Sequence, residues 1–199
     1  VAGLDPVLIL PLPEWLEAEE RTAPRKKTDD KSWLSWVIGL ARRNVEEKTG
    51  GPFAAAVVDL RSGELIAAGV NRVEALRCSA AHAEVAALIR AQQRLHTHDL
   101  SQAEGKKPLT LFSSAQPCIM CFGALLWSGA RRLVYGASKR DVERTLGFDE
   151  GPLPRLWRLE LRRRGLGVRG ALLSVEATQV LRFYRDRQGL IYNPSRQDG

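Results

Sequence analysis

The sequence predicts an α/β layered domain built on a largely buried sheet. Short apolar runs of strand length alternate with stretches of helical periodicity, and Gly and Pro clusters separate them. Hydrophobic residues make up 44% of the 199 residues, enough to bury a core without disulfide support.

Residues 1–28 read as an irregular lead-in, interrupted by Pro6, Pro11, Pro13 and Pro24. The charge run Arg25-Lys26-Lys27 within it reads as a solvated face. Asp29 or Asp30 caps a first helix, because Leu34, Val37, Ile38, Ala41 and Val45 repeat at helical spacing, and Gly50-Gly51-Pro52 ends it. Apolar runs at 53–59 and 65–70, joined by Arg61-Ser62-Gly63, read as a hairpin. A polar loop over 71–79 leads to a helix capped by Ser79, with Val85, Leu88, Ile89 and Leu95 on its buried stripe. A strand at 109–113, a helix at 118–127, a strand at 132–136 and a short helix at 141–146 follow, then the loop 147–154. A helix at 155–164, a strand at 168–173 and a helix at 175–187 precede the tail. One main domain, 29–188, is thus flanked by the lead-in and a tail over 189–199.

Composition narrows the function. The net charge is +7, from 30 basic and 23 acidic residues, which invites a nucleic-acid or phosphate partner. Residues 1–130 are balanced at 15 and 15, so the whole excess lies in the last third, outside the motifs described next. Disordered and collagen-like chains are excluded, and no apolar run approaches the roughly 18 residues of a membrane span. Val7-Leu8-Ile9-Leu10 is short, broken by Pro11 and lacks a positive leader, so it is not expected to be a signal peptide. Three cysteines, Cys78, Cys118 and Cys121, are too few for a disulfide framework and imply a reducing, cytoplasmic setting.

Two stretches carry chemistry: His82-Ala83-Glu84 and Pro117-Cys118-Ile119-Met120-Cys121. Cys118 and Cys121 stand at i and i+3 at a helix start, where the unpaired N–H groups and the macrodipole favour thiolates. Alone, the pair is also compatible with a redox dithiol, and His82 with a structural role. Together they supply three zinc ligands and leave a fourth position for water, the open geometry of a catalytic site. In an ideal helix positions 82 and 84 point about 200° apart, so Glu84 is read as the proton carrier and not as a ligand. An HxE stretch followed by PCxxC is the signature of zinc-dependent deaminases. Cys78 reads as a buried small hydrophobe, and His96 and His98 as loop residues.

At these residues the chain resembles the cytidine deaminase superfamily, and within it the guanine deaminases. The resemblance runs from about Gly50 to Pro152, through Gly51-Pro52-Phe53, Asn71-Arg72-Val73, the His82 and Cys118 stretches, Trp127 and Gly147-Phe148-Asp149-Glu150. It implies a three-layer α/β/α fold on a mixed sheet of about five strands, with one zinc ion per chain. It further implies that Phe53 and Trp127 line the pocket, that Asn71 bonds the base edge, and that Glu150 is a second catalytic carboxylate. It also implies a homodimer whose exchanged tails close the sites, Tyr192 being the closing aromatic. The chain departs from the pattern at Gln116, where the family usually has Glu, and at Ala54, where Gly is frequent and a methyl is expected close to the pocket. The tail runs seven residues past Tyr192.

The expected activity is hydrolysis of guanine to xanthine and ammonia, in purine catabolism. Rival readings are deamination of another amino-heterocycle (an aminotriazine such as ammeline, or another aminopurine) and deamination of tRNA adenosine. A cytidine deaminase proper lacks an obvious counterpart of the 147–150 stretch, and a zinc-stabilised interaction module needs a fourth protein ligand that the sequence does not offer close by. The basic segment 155–164 supports the tRNA reading, yet Leu156, Leu159 and Leu161 make it a packed helix with a solvated basic face. A heterocyclic base is thus the expected partner, with nucleic acid and membrane set aside.

Overall fold

Strand β1 (Ala54–Asp59) is buried along its whole length, and its side chains alternate between two cores. Ala54, Ala56 and Val58 join one, and Ala55 and Val57 the other. A strand apolar on both faces needs a helical layer on each side. The computed structural model describes residues 10–25, 29–105 and 108–193 and has those two layers.

The sheet also contains β2 (Glu64–Val70), β3 (Leu109–Ala115), β4 (Arg132–Ala137) and β5 (Gly167–Arg169), in the order β2-β1-β3-β4-β5. The hairpin β1–β2 and the β1–β3 pair are antiparallel, whereas β3, β4 and β5 run parallel. This is the mixed five-stranded α/β architecture that the sequence predicts. Helices α2 (Asp30–Glu46) and α8 (Ser174–Asp186) cover one face, with α1 (Glu14–Glu20) and α6 (Lys139–Leu146) alongside. Helices α4 (Ala83–Arg94), α5 (Ile119–Trp127) and α7 (Trp157–Arg163) cover the other. Among the described residues, no helix is long and apolar enough to cross a membrane.

The structure departs from the sequence reading in four places. The lead-in is not wholly irregular: Pro13 sits at the N-cap of α1, where no helical N–H is required, and Glu14 and Glu17 suit the positive end of the helix. Leu16 is fully buried, and Glu20 accepts from the Ala68 N–H on the outer edge of β2 while pairing with Arg90 and Arg94. Residues 1–9, 26–28 and 194–199, including Lys26 and Lys27, lie outside the described residues. The loop 71–79 contains one helical turn, α3 (Val73–Leu76). Strand β5 is shorter than expected, and residues 170–173 turn away before α8.

The fourth difference shapes the site. Helix α4 is capped by His82 and not Ser79, and its buried stripe is Ala83, Ala86, Ala87, Leu88 and Ala91, with Val85 and Ile89 only half-buried. Small side chains let the helix lie directly on the hairpin. At Gly69 a Cβ would stand 2.5 Å from the Ala83 carbonyl and 2.6 Å from the Ala87 nitrogen, so only glycine permits this approach.

Asp30 opens α2 and is nearly buried; Arg132 donates to both its oxygens at 2.7 and 2.6 Å, and Arg169 adds a bond at 2.5 Å. Burial works to raise its pKa, and the two guanidiniums outweigh that and hold it below the ordinary 3.8. A depressed carboxylate contributes stability above its unfolded pKa and loses it as pH falls through the folded value. Asp30→Asn is therefore expected to cost about 1–2 kcal/mol at pH 7, discounted because both arginines stay partly hydrated. Thermal melts of the two proteins should converge below pH 4; a constant gap down to pH 2 would count against the ion pair.

Candidate active site

The two helices of one layer, α4 and α5, begin at the same place. Their N-caps are His82 and Cys118, both extended, so each side chain leaves the helix at its positive end. Because His82 precedes the helix, the angular argument that separates positions 82 and 84 does not apply. Cys121, one turn into α5, faces back toward the caps. The Sγ atoms of Cys118 and Cys121 each lie 3.6 Å from His82 Nδ1, and the three ligand atoms all fall within 4.8 Å of one another. Tetrahedral zinc with Zn–S of about 2.3 Å and Zn–N of about 2.0–2.1 Å requires S and N to be about 3.6 Å apart, so the residues fit that metal.

Electrostatics favours the same reading. The hydrogen bond from Cys121, with help from His82, lowers the Cys118 thiol to about 4, while that bond and burial push Cys121 well up. One sulfur is thus already a thiolate, and a cation at the trio removes the second proton. Burial works to lower the pKa of His82, but the Cys118 bond and the charge of Glu84 outweigh it and the imidazole is raised.

Glu84, in the first turn of α4, is buried beside the trio. Ser113 on β3 donates to its Oε1 at 3.1 Å, and Cys121 Sγ to its Oε2 at 3.4 Å. Burial raises its pKa, and the Cys118 charge adds to that. Glu150 arrives on the loop after α6, and its carbonyl accepts from Ile119 N at 3.0 Å, tying that loop to the start of α5. Burial, then the negative charges of Cys118 and Glu84, push its carboxyl up to about 8. Two carboxyls whose ionisation burial opposes, beside a metal trio, are groups suited to proton transfer.

His82, Cys118, Glu84 and Glu150 line a cleft of about 770 Å³, while Cys121 is fully buried. Phe53, Asn71 and Tyr192 line it too. Phe148 stands between the two aromatics, 5.7 Å from Phe53 and 4.8 Å from Tyr192, and the Tyr192 hydroxyl is hydrogen-bonded with Asn71. Tyr192 reaches the cleft of its own chain. Asn193 holds the adjoining loop, accepting from Asp149 N at 2.9 Å and donating to the Gly147 carbonyl at 2.8 Å.

Trp127 does not join them. It is 86% exposed at the last position of α5, eight residues or about 12 Å along the helix from Ile119, which is the end that meets the cleft. Ala54 packs into the core beneath α2, so its methyl adds nothing to the pocket wall. Cys78 is half-buried on the cleft wall, not a core residue, and stands outside the metal trio. Gln116 also lines the cleft, and its Oε1 accepts from the first N–H of α6, Lys139 N, at 3.2 Å; an amide oxygen serves there as a carboxylate would. Sequence reading overlooked Ser113, which carries no motif of its own, and Phe148, whose aromatic character within the 147–150 stretch was the available signal.

Cys118→Ser is expected to leave the secondary structure intact and remove stoichiometric zinc binding, measured by metal analysis after dialysis. Retained zinc would show that the metal is held elsewhere.

A family model described as the cytidine and deoxycytidylate deaminase zinc-binding region matches residues 27–137. The guanine deaminase of Bacillus subtilis (strain 168) is 34% identical over 119 residues, which span 60% of this chain and 70% of that one. The solved guanine deaminase from Nitrosomonas europaea superposes with a TM-score of 0.84 at 46% identity, covering 93% of this chain and all of that chain. A structure in complex with 2,6-diaminopurine gives 0.86 at 47% identity, over 96% of this chain and 98% of the other. The matched stretch contains both turns that form the trio, and it is through this metal-holding half that the chain belongs to the cytidine and deoxycytidylate deaminase family.

Proposed function

We propose that the chain hydrolyses guanine to xanthine and ammonia with one zinc ion held by His82, Cys118 and Cys121. The observation that carries this reading is the presence of both Glu84 and Glu150 in a cleft also lined by Phe53, Phe148, Tyr192 and Asn71. A flat aminopurine fills such a wall, and the likeness to guanine deaminases across most of the chain supports the choice of base. Zinc at the trio would supply a water acidified toward neutrality. Glu84 takes a proton from the attacking water and delivers it to a ring nitrogen. Ser113 holds Oε1, and a thiolate Cys121 no longer donates to Oε2, which leaves that oxygen for the proton. Glu150, whose ionisation burial opposes, donates to the departing amine. The base sheds ammonia and gains a carbonyl from the water, as the proton of the new hydroxyl passes back to Glu150.

The basic last third gives the tRNA reading little support. Arg158 donates to the Tyr135 hydroxyl and stacks on Trp157, while Arg163 and Arg164 both pair with Glu160. Ammonia release from guanine, with matching xanthine, tests the proposal on zinc-loaded protein. Glu84→Gln should keep its zinc and lose roughly 10³-fold in turnover; near-parental activity would remove Glu84 from the proton path.

We also propose that the protein is a homodimer joined at α5. This helix has no charged or polar side chain apart from Cys121, and Ile119, Met120 and Trp127 are exposed on it. Trp127→Glu is expected to halve the mass measured by light scattering; an unchanged mass would place the contact elsewhere.

A further inference from the structure

Helix α2 buries an apolar face of Trp33, Leu34, Val37, Leu40, Ala41 and Val45, and among them one amide, Asn44, with no exposed surface at all. A primary amide in such a layer is costly unless every donor and acceptor is matched. Here they are matched. Asn44 Nδ2 donates to the Gly51 carbonyl at 2.8 Å and to the Asn71 carbonyl at 2.9 Å, and Oδ1 accepts from the Thr49 hydroxyl at 2.7 Å.

The two carbonyls belong to separate segments, and each adjoins a residue of the cleft. Gly51 O also accepts from Phe53 N at 2.9 Å, and Phe53 O accepts from Asn71 N at 3.0 Å. Asn44, Gly51, Phe53 and Asn71 therefore form a closed ring of hydrogen bonds. The ring leaves no slack: at Gly50 a Cβ would lie 1.9 Å from the Asn71 carbonyl and 2.9 Å from Asn44 Nδ2. With its backbone pinned on both sides, Asn71 needs only the bond from Val73 N to Oδ1, 3.3 Å, and the Tyr192 hydroxyl to fix its side chain. Outside the ring, Thr49 Oγ1 accepts from Trp15 Nε1 at 3.1 Å, and the Thr49 carbonyl accepts from Arg72 at 2.7 Å. The network so extends from α1 to the lining of the cleft.

We infer that Asn44 is a positioning residue for substrate binding: it touches no substrate, and it holds Phe53 and Asn71 in the mutual register that receives a purine. The inference rests on the aminopurine reading of the cleft. It deepens that reading by assigning part of the affinity for the base to a helix behind the pocket. An apolar side chain of similar volume would keep the packing of α2, leave the Asn71 carbonyl without this bond in a dry layer and open the ring, so packing alone does not account for an amide here.

The test uses full-length, zinc-loaded protein carrying Asn44→Ser or Trp15→Phe, with Val37→Ala as a core control on the same helix. Affinity for 2,6-diaminopurine is read by calorimetry and KM for guanine by ammonia release. Asn44→Ser should weaken both by about tenfold while kcat stays within about twofold and zinc content is unchanged. Trp15→Phe, which removes one N–H from the end of the network, should weaken both by about twofold. Val37→Ala should lower the melting temperature and leave affinity and KM at parental values. Parental affinity in Asn44→Ser, or an equal loss in Val37→Ala, overturns the inference. If Asn44→Ser does not fold, parental affinity in Trp15→Phe overturns it. A parent that binds 2,6-diaminopurine but releases no ammonia from guanine refutes the proposed substrate alone, and the calorimetric comparison still decides the role of Asn44. A parent that binds no purine overturns both.

Discussion

The approach of α4 to the hairpin is the constraint on which the rest depends. Three ligand atoms from two segments must come within 4.8 Å of one another, and two of those ligands are N-caps. A cap has no freedom to slide along its helix, so the helices themselves have to be placed. The alanine stripe of α4 and the bare backbone at Gly69 do this for His82, bringing helix and strand close enough for a main-chain to main-chain contact. The bond from Ile119 N to the Glu150 carbonyl does the equivalent for α5 and brings the second carboxyl with it. Metal geometry, proton chemistry and helix packing are therefore a single arrangement: moving one helix by a side chain's width would separate all three.

Once the helices are fixed, the electrostatics follow. Two helix N-termini converge on a pocket that also holds two thiols and two carboxyls, a density of acidic groups that dry surroundings do not tolerate fully ionised. The response is visible in opposite directions at neighbouring atoms. Cys118 is driven down to about 4 while Cys121 is driven up, and Glu150 is driven up to about 8. A divalent cation relieves the sulfur half of this conflict. Burial of Glu84 and Glu150 remains, and it continues to oppose their ionisation.

How much of this was legible in the sequence varies with the kind of feature. The five strands, the helical stripe from Leu34 to Val45 and the convergence of His82, Cys118 and Cys121 could be read, because each follows from periodicity or from a spacing that chemistry imposes. Helix α1 was hidden by its prolines, although Pro13 stands where a helix accepts one. The α4 stripe was misread because large apolar residues were weighted above alanines, whereas close packing on Gly69 selects the small ones. Trp127 was drawn toward the pocket by its place in a motif, but helical rise carries it away. Ser113 and Asn44 have no signature, since each takes its meaning from a partner distant in the chain, 29 residues away for Ser113 and 27 for Asn44.

The same distinction separates what the metal half determines from what it does not. His82, Cys118, Cys121 and Glu84 sit on the ends of regular helices that the strands hold in place, so their geometry is set by the sheet. The wall that meets a base is built differently: Asn71 from the loop after β2, Phe148 and Glu150 from the loop after α6, Tyr192 from the tail. Loops have no lattice of their own, and side chains on them point where other groups hold them. Here those groups are few and named: Asn44 behind Asn71, Asn193 across 147–149, Phe148 between Phe53 and Tyr192. Two of these are hydrogen-bonded clamps and the third is an aromatic contact, and all three lie outside the metal trio. A family can therefore keep one zinc turn and alter its substrate by altering polar residues that never touch it.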